Sequence, residues 1–224
     1  MRGRRALIFG LVCLGSAAAV RAQDAASDWK TAFPTAAAPS HVHFRAVYRD
    51  SFDRAHELEM WRQADLRLRR RTDDSLDLYV EKSASGEYEY RLVDHHRNIL
   101  IRADRTALYR IGVFSDWIGL AHVLKVPRGE YRITPSVRQS QASLRGQCVW
   151  RRLELTLPSP AATEICWSPR WGLPLEIGID GKDGFRSHFS VEEVGTFSNG
   201  PEIFAIARDG LIEIDAGPDA EISD

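Results

Sequence analysis

From His41 onward, apolar and polar residues alternate with a period of two. Ala64, Leu66 and Leu68 alternate with Asp65, Arg67 and Arg69. Leu76, Leu78 and Val80 alternate with Asp77, Tyr79 and Glu81, and Tyr88, Tyr90 and Leu92 with Glu89, Arg91 and Val93. Successive side chains of a strand point to opposite faces, so each run reads as a half-buried strand. Thr72-Asp73-Asp74-Ser75 and Ser83-Ala84-Ser85-Gly86 are turn-forming clusters. Half-buried strands joined by turns this short form an antiparallel meander.

The pattern also predicts a register. For Leu66 and Leu68 to share a face with Leu78 and Val80, the numbers of paired residues must sum to an even value. A sum near 146 leaves a three-residue loop and sets Arg69 opposite Asp77, with Arg91 on the other side of Asp77. The run Arg69-Arg70-Arg71 then reads as a largely solvated sheet face with cross-strand ion pairs, each worth under about 1 kcal/mol. The sharper alternative is a docking patch for an acidic partner or a phospholipid headgroup.

The period changes once. Trp117, Ile118, Leu120, Ala121 and Leu124 form an apolar stripe over Asp116 to Leu124, with Ser115 as N-cap and Pro127 and Gly129 as the stop. Such a helix needs a surface to lie on, and the open side of a curved sheet supplies it. Beyond it, Tyr131 to Val137 reads as a further strand. Leu173 to Ile179 and Phe185 to Val194 flank the turn Asp180-Gly181-Lys182-Asp183-Gly184, a hairpin signal. The segment around Ile203-Phe204 and Leu211 to Ile214 has the character of an edge strand. Upstream, residues 23–40 read as a linker or a short helix docked by Trp29 and Phe33.

The first 22 residues have the form of a secretory signal. Arg2, Arg4 and Arg5 precede the apolar run Ala6 to Val20, and Val20-Arg21-Ala22 has the small-residue pattern of a cleavage site after Ala22. Fifteen apolar residues are few for a membrane span. An uncleaved anchor and a lipoprotein modified at Cys13 are the rival readings. Export leaves Cys148 and Cys166 in an oxidising compartment, where they are expected to pair. They lie on two strands about a Pro-containing turn centred near Leu157, so a symmetric hairpin opposes them on one face. Closing that loop stabilises the fold by roughly 3 kcal/mol.

Composition narrows the function. The chain has 224 residues, 44% hydrophobic and 27% charged, which excludes disorder and fits one domain. Its net charge of −1 gives no electrostatic case for nucleic acid. Loss of the signal leaves 26 basic against 31 acidic residues, six of the acids between Asp209 and Asp224, which reads as an acidic tail. No further apolar stretch is long enough for an integral membrane span. His41-Val42-His43 places two imidazoles on one strand face, the best candidate for a metal site, yet it matches no metal signature. There is no Gly-x-Ser-x-Gly, no Ser-x-x-Lys and no glycine-rich phosphate loop. The sequence therefore predicts no enzyme and no cofactor.

The order of parts resembles the LolA/LolB-like superfamily of bacterial periplasmic lipid- and lipoprotein-binding proteins: export signal, long meander, one mid-chain helix, further strands. Cys166-Trp167-Ser168-Pro169-Arg170-Trp171-Gly172-Leu173-Pro174-Leu175, the strand ending Glu192-Glu193-Val194, and Pro201-Glu202-Ile203-Phe204 are similar to late segments of such half-barrels. The resemblance covers most of the mature chain and carries no catalytic residue. It implies a mainly β (α+β) domain over 41–208, a strongly curved antiparallel sheet forming an open half-barrel with one main covering helix, between the 23–40 segment and a 209–224 tail. It further implies a soluble periplasmic protein that binds an apolar moiety, a lipid or an acylated protein. Leu66, Leu78 and Tyr90 would line the sheet of the cavity, with Trp117, Leu120 and Leu124 as the lid. An envelope protein-interaction or sensor module on the same fold is the alternative, and a metal-dependent hydrolase using His41 and His43 the second.

Overall fold

The computed structural model describes residues 28–104, 117–138, 147–156, 161–182, 184–198 and 200–216. The export signal, the Ser115 cap, Asp116 and the turn centred on Leu157 lie outside the described residues.

Among the described residues, twelve strands form one open sheet: β1 (His41–Arg49), β2 (Ala55–Gln63), β3 (Arg67–Thr72), β4 (Leu76–Lys82), β5 (Tyr88–Asp94), β6 (Ile99–Ala103), β7 (Tyr131–Pro135), β8 (Val149–Leu155), β9 (Ala161–Ser168), β10 (Leu173–Gly181), β11 (Gly184–Gly195) and β12 (Ile212–Asp215). Their spatial order is β12-β6-β5-β4-β3-β2-β1-β11-β10-β9-β8-β7. Every neighbouring pair is antiparallel except β12 with β6, which is parallel. The fold class is therefore mainly β, with an unclosed sheet and, among the described residues, two short α-helices: α1 (Trp29–Ala32) and α2 (Trp117–His122).

The alternating pattern produces the meander β1 to β6 as expected. The pairing of β1 with β11, which joins this meander to the later strands, is non-local and carries no signature in either strand alone. On the inner face, Val42, Phe44, Leu58, Met60, Leu68 and Val80 are almost completely enclosed. They share one parity because pairing in β1–β2, β2–β3 and β3–β4 holds an even sum throughout. Arg62 on β2 reaches the Trp171 carbonyl, in the turn between β9 and β10, although β1 and β11 lie between β2 and β10. A contact across so many strands requires the sheet to curl.

The β3–β4 register differs from the expectation. The sum is 148, so Arg71 opposes Asp77 and Arg69 opposes Tyr79. Arg91 also opposes Tyr79, and pairs with Glu81 at 2.6 Å instead of Asp77. The loop still has three residues, but they are Asp73, Asp74 and Ser75. Tertiary contacts explain the slip of two: the Asp73 carboxylate accepts the Glu57 N–H at 2.8 Å and holds the His56 ring at 2.5 Å. The turn is thereby fixed to β2. Asp73 and Asp74 both have φ near +50°, which aspartate tolerates better than most residues.

Three further expectations change. The helix is shorter than Asp116 to Leu124; it ends at His122, Val123 has φ 54°, and Leu124 is outside it. Cys148 and Cys166 form a disulfide with Cα atoms 5.4 Å apart, but Cys166 pairs in the ladder with Trp150, so the two cysteines are diagonal instead of opposed. β12 lies in the span read as an acidic tail, and adds the expected strand at the sheet edge. The N-terminal aromatics dock as expected: Phe33 lies edge-on to Trp167 at 5.3 Å, and Trp29 edge-on to Tyr131 at 6.0 Å.

Candidate functional site

The predicted cavity residues separate into three places. Leu78, Tyr90, Trp117 and Leu120 meet in one cluster with Leu68, Val80 and Ala121. Leu124 packs in a different cluster, with α1, Ile133 and Leu153. Leu66 is not on the sheet: it sits in the turn before β3, 49% exposed. The alternation Ala64-Leu66-Leu68 overstated the strand, because the chain reverses at Ala64, whose N–H bonds the Ser40 carbonyl.

In the first cluster Tyr90 and Leu120 are enclosed, 2% and 3% exposed. Trp117 stacks on Tyr88 at 4.6 Å with the rings 7° from parallel, and the Tyr88 hydroxyl donates to the Asp65 carbonyl at 2.9 Å. The helix is thus seated on β3–β5 by direct packing.

Arg62 fastens the other end of this helix. It is 3% exposed and donates from Nη1 to the Ala121 carbonyl at 2.7 Å and from Nη2 to the Trp171 carbonyl at 2.9 Å. A cation at a helix C-terminus satisfies carbonyls that lack a partner within the helix. Burial lowers the Arg62 pKa to about 10. His122 Nδ1 lies 2.5 Å from the Gly172 carbonyl and 2.9 Å from Arg62 Nη1. As an N–H it donates to the carbonyl, and burial, aided by the Arg62 charge, lowers its pKa to about 4. Its neutral form is the resident one at ordinary pH.

Sequence reasoning missed Arg62 and grouped Arg70 with Arg69 and Arg71 on a solvated face, although parity could have placed both inward. Leu58, Met60 and Arg62 share one face of β2, as Leu68 and Arg70 share one face of β3. Arg70 therefore stands on the inner face, between Met60 and Leu78 in the ladder. Burial lowers its pKa, the Tyr48 ring lies 5.9 Å away, and no carboxylate among the described residues pairs with it.

Beyond Arg70 the inner face opens. One cross-strand row runs Met60, Arg70, Leu78, Leu92, Ile101, Ile214. Met60 is 1% exposed, Leu92 and Ile101 are half-buried, and Ile214 is 43% exposed. The adjacent row runs Leu76, Asp94, Ile99, Ile212, the last 64% exposed, and Asp94 in it pairs with Arg97 at 3.4 Å. This apolar strip, extending to the sheet edge, is the candidate site.

The outer face corrects the reading of the arginine run as solvated. Asp77 is fully buried and accepts from Arg69 Nη2 at 2.8 Å and Arg71 Nε at 3.2 Å, with His95 Nε2 at 2.9 Å. Burial pushes its pKa up, but the three cationic or imidazole partners outweigh this and hold it at about 2. The 3-10 turn Pro201–Phe204 covers the node: Arg69 Nη1 donates to the Ile203 carbonyl at 3.2 Å, and Arg67 lies 4.4 Å over the Phe204 ring. Ile206 and Leu211 then pack on Tyr79, Val93 and Leu100. The period of the strands does not disclose that a distant segment returns over this face. A polar cleft of about 220 Å³, lined by Arg45, Glu57, Glu59, Arg71 and Asp73 among others, also lies there. Its lining does not suit an acyl chain.

The histidines proposed for a metal have other partners. His43 pairs with Glu59 at 2.8 Å and stacks on Trp61, and His41 meets Ser40 and Phe197. Among the described residues no group of three or more His, Cys, Asp or Glu side chains is arranged to share a metal ion. No helix among them is long and apolar enough to cross a membrane.

No family model and no curated protein matches the chain. Among solved structures, the crystal structure of MucB is similar, with 16% identity and a TM-score of 0.39 over 81% of this chain. The likeness spans 62% of the MucB chain, less than two thirds of its length. So distant a likeness decides neither ligand nor partner.

Proposed function

We propose that the chain is an exported, non-catalytic binding module that recognises an envelope protein through the half-open strip on its inner face. The observation that carries this reading is the division of that face: Tyr90 and Leu120 are enclosed beneath the helix, whereas Leu92, Ile101 and Ile214 form an apolar surface continuous with the sheet edge. Contiguous exposed apolar surface is a feature of association sites. The disulfide supports the exported compartment, and the open sheet with a covering helix supports a LolA-like architecture. The buried charges support a structural role: Asp77 and Arg62 are satisfied by hydrogen bonds within the fold. A photocrosslinking amino acid at Leu92 or Ile101, in cells, tests the reading. A defined protein adduct supports it; stoichiometric lipid in organic extracts with no protein adduct overturns it.

Arg70 favours a second reading, a lipid or acylated ligand. It interrupts the apolar row without an acidic partner among the described residues, which suits an amphiphile whose anionic group meets the guanidinium and whose chain lies on Leu92 and Ile101. Each methylene buried there contributes about 0.8 kcal/mol. Under this reading, mass spectrometry of extracts finds lipid in the native chain and loses it in Arg70→Gln.

A further inference from the structure

We propose that His56 is a pH-sensitive pin: as an imidazolium it bolts the β1–β2 turn to the β3–β4 turn, and its deprotonation releases the β3–β4 turn and, through Tyr48, loosens the seat of Arg70 on the inner face. The device goes beyond the binding reading above and holds whichever occupant the inner strip takes.

His56 is the second residue of β2, and its two ring nitrogens reach different turns. Nδ1 lies 2.5 Å from an Asp73 carboxylate oxygen, between β3 and β4. Nε2 lies 3.4 Å from an Asp50 carboxylate oxygen, between β1 and β2. A neutral imidazole has one N–H and one lone pair. Either tautomer therefore aims a lone pair at a carboxylate. Only the ring protonated at both nitrogens donates to both acids, so the geometry itself requires the cation.

The surrounding charges favour that form. Arg54 donates to Asp50 from Nε at 2.7 Å and from Nη2 at 2.6 Å, and holds its carboxyl far below the usual range. At Asp73 burial acts upward, but the His56 ring and the Glu57 N–H outweigh it and lower its pKa. Both acids stay ionised at neutral pH, so the imidazole is the group that changes charge. Glu57 and Asp74 border the same recess and add negative charge, Asp74 being shared with Arg71 at 3.7 Å. The hydrogen bond to Asp73, aided by Asp50 and opposed by burial, raises the His56 pKa above its ordinary 6.5. The His56 contribution to stability is thus fully present below pH 6.5 and is lost as pH rises through the higher folded value. Its side chain is 22% exposed, which gives solvent protons access to the ring.

Two structures hang on the pin. Asp73 and Asp74 have φ of 51° and 52°, a region that side chains other than glycine occupy at a cost, so their turn depends on its anchors. Those anchors are the two Asp73 oxygens, one accepting the Glu57 N–H at 2.8 Å and the other held by His56. Asp50 keeps Arg54 and the Phe52 N–H without His56, so loss of the proton frees the β3–β4 turn and leaves the β1–β2 turn in place. On the inner side the Tyr48 ring stacks on His56 at 5.1 Å, with the rings 24° from parallel. Arg70 Cζ lies 5.9 Å from the same ring. A cation over an aromatic face is attracted to it, so Tyr48 is held more weakly once His56 is neutral, and Arg70 feels the change.

The test is nuclear magnetic resonance on the purified, disulfide-bonded chain, labelled with carbon-13 and nitrogen-15 and titrated from about pH 5.5 to 9. The His56 ring is expected to titrate with a midpoint above 6.5 and to carry protons on both nitrogens below it. The Glu57 and Asp73 amide resonances and the Arg70 Nε–H resonance are expected to shift with the same midpoint. The heteronuclear Overhauser effect of Asp74 is expected to fall above it. Asp73→Asn keeps an acceptor for the Glu57 N–H and is expected to lower the His56 midpoint, more than Asp50→Asn does. In His56→Gln the Glu57, Asp73 and Arg70 shifts are expected to vanish with circular dichroism unchanged. The native titration and Asp73→Asn decide the matter even where His56→Gln does not fold. A His56 midpoint at or below 6.5, or one that Asp73→Asn leaves unmoved, overturns the proposal. So do Glu57 and Asp73 amides that ignore the His56 titration, or an Arg70 resonance that stays still through it.

Discussion

Replacing Asp77 by Asn tests whether the buried ionic node on the outer face stabilises the fold. Asp77 is fully buried, and Arg69 and Arg71 beside it have side chains 14% and 30% exposed. Its pKa is held at about 2, against an ordinary value of 3.8. A drop of that size corresponds to roughly 2.5 kcal/mol in favour of the charged form. Water reaches the node through Arg71 and through His95, 44% exposed, so screening reduces the figure to about 1.5 kcal/mol. The variant also leaves two guanidinium groups without their carboxylate, which raises the expected loss at pH 7 to about 2 kcal/mol. The sign with pH follows from linkage. Asp77 is depressed in the folded state, so its stabilisation is present above about pH 4, where the unfolded carboxylate is ionised, and is lost as pH falls through about 2. Urea unfolding of the native chain and Asp77→Asn at pH 7, 5, 3 and 2 measures both quantities. The gap between the two proteins should be constant from pH 7 to 5 and shrink towards pH 2. A loss under 0.5 kcal/mol at pH 7, or a gap that does not narrow in acid, refutes the reasoning.

His122 should give a separate acid step. The unfolded imidazole gains its proton near pH 6.5 and the folded one only near 4, so the unfolded state binds more protons between them and stability falls as pH drops through that window. The loss is at most about 3.4 kcal/mol, and His122→Gln should flatten the pH 6.5 to 4 portion of the urea-midpoint profile. Reducing the disulfide, or replacing both Cys148 and Cys166 by Ser, should cost about 3 kcal/mol, read as a lower thermal midpoint that dithiothreitol does not lower further in the double variant. Ala64 is exposed with φ 45°, so Ala64→Gly should stabilise the chain by about 0.5 to 1 kcal/mol in the same urea assay.

The sequence by itself determined the elements and their faces. Leu78, Val80, Tyr90 and Leu92 lie on the inner face because strand side chains alternate, and that periodicity is a property of each short segment alone. The same local rule placed Trp117 and Leu120 on the helix surface that meets the sheet. It also carried unused information: Arg62 and Arg70 share the parity of Leu58 and Leu68, so an inward position was readable at both.

Tertiary structure alone decided which inner-face residues are enclosed, and where the charges reside. Enclosure of Tyr90 and Leu120 depends on how closely α2 approaches β3–β5, which is set by Arg62 reaching Ala121 and Trp171 from strands far apart in the chain. The register of Asp77 was fixed by Asp73 binding β2, and its burial by the return of residues 201–211 over the outer face. These are contacts between segments distant in sequence, and alternation within one strand is the same whether or not they form. For that reason the pattern of residues could name the strands, the helix and their inward sides. It could not say that Leu78, Tyr90 and Leu120 are enclosed, or that exposed apolar surface survives at Ile212 and Ile214 on the sheet edge.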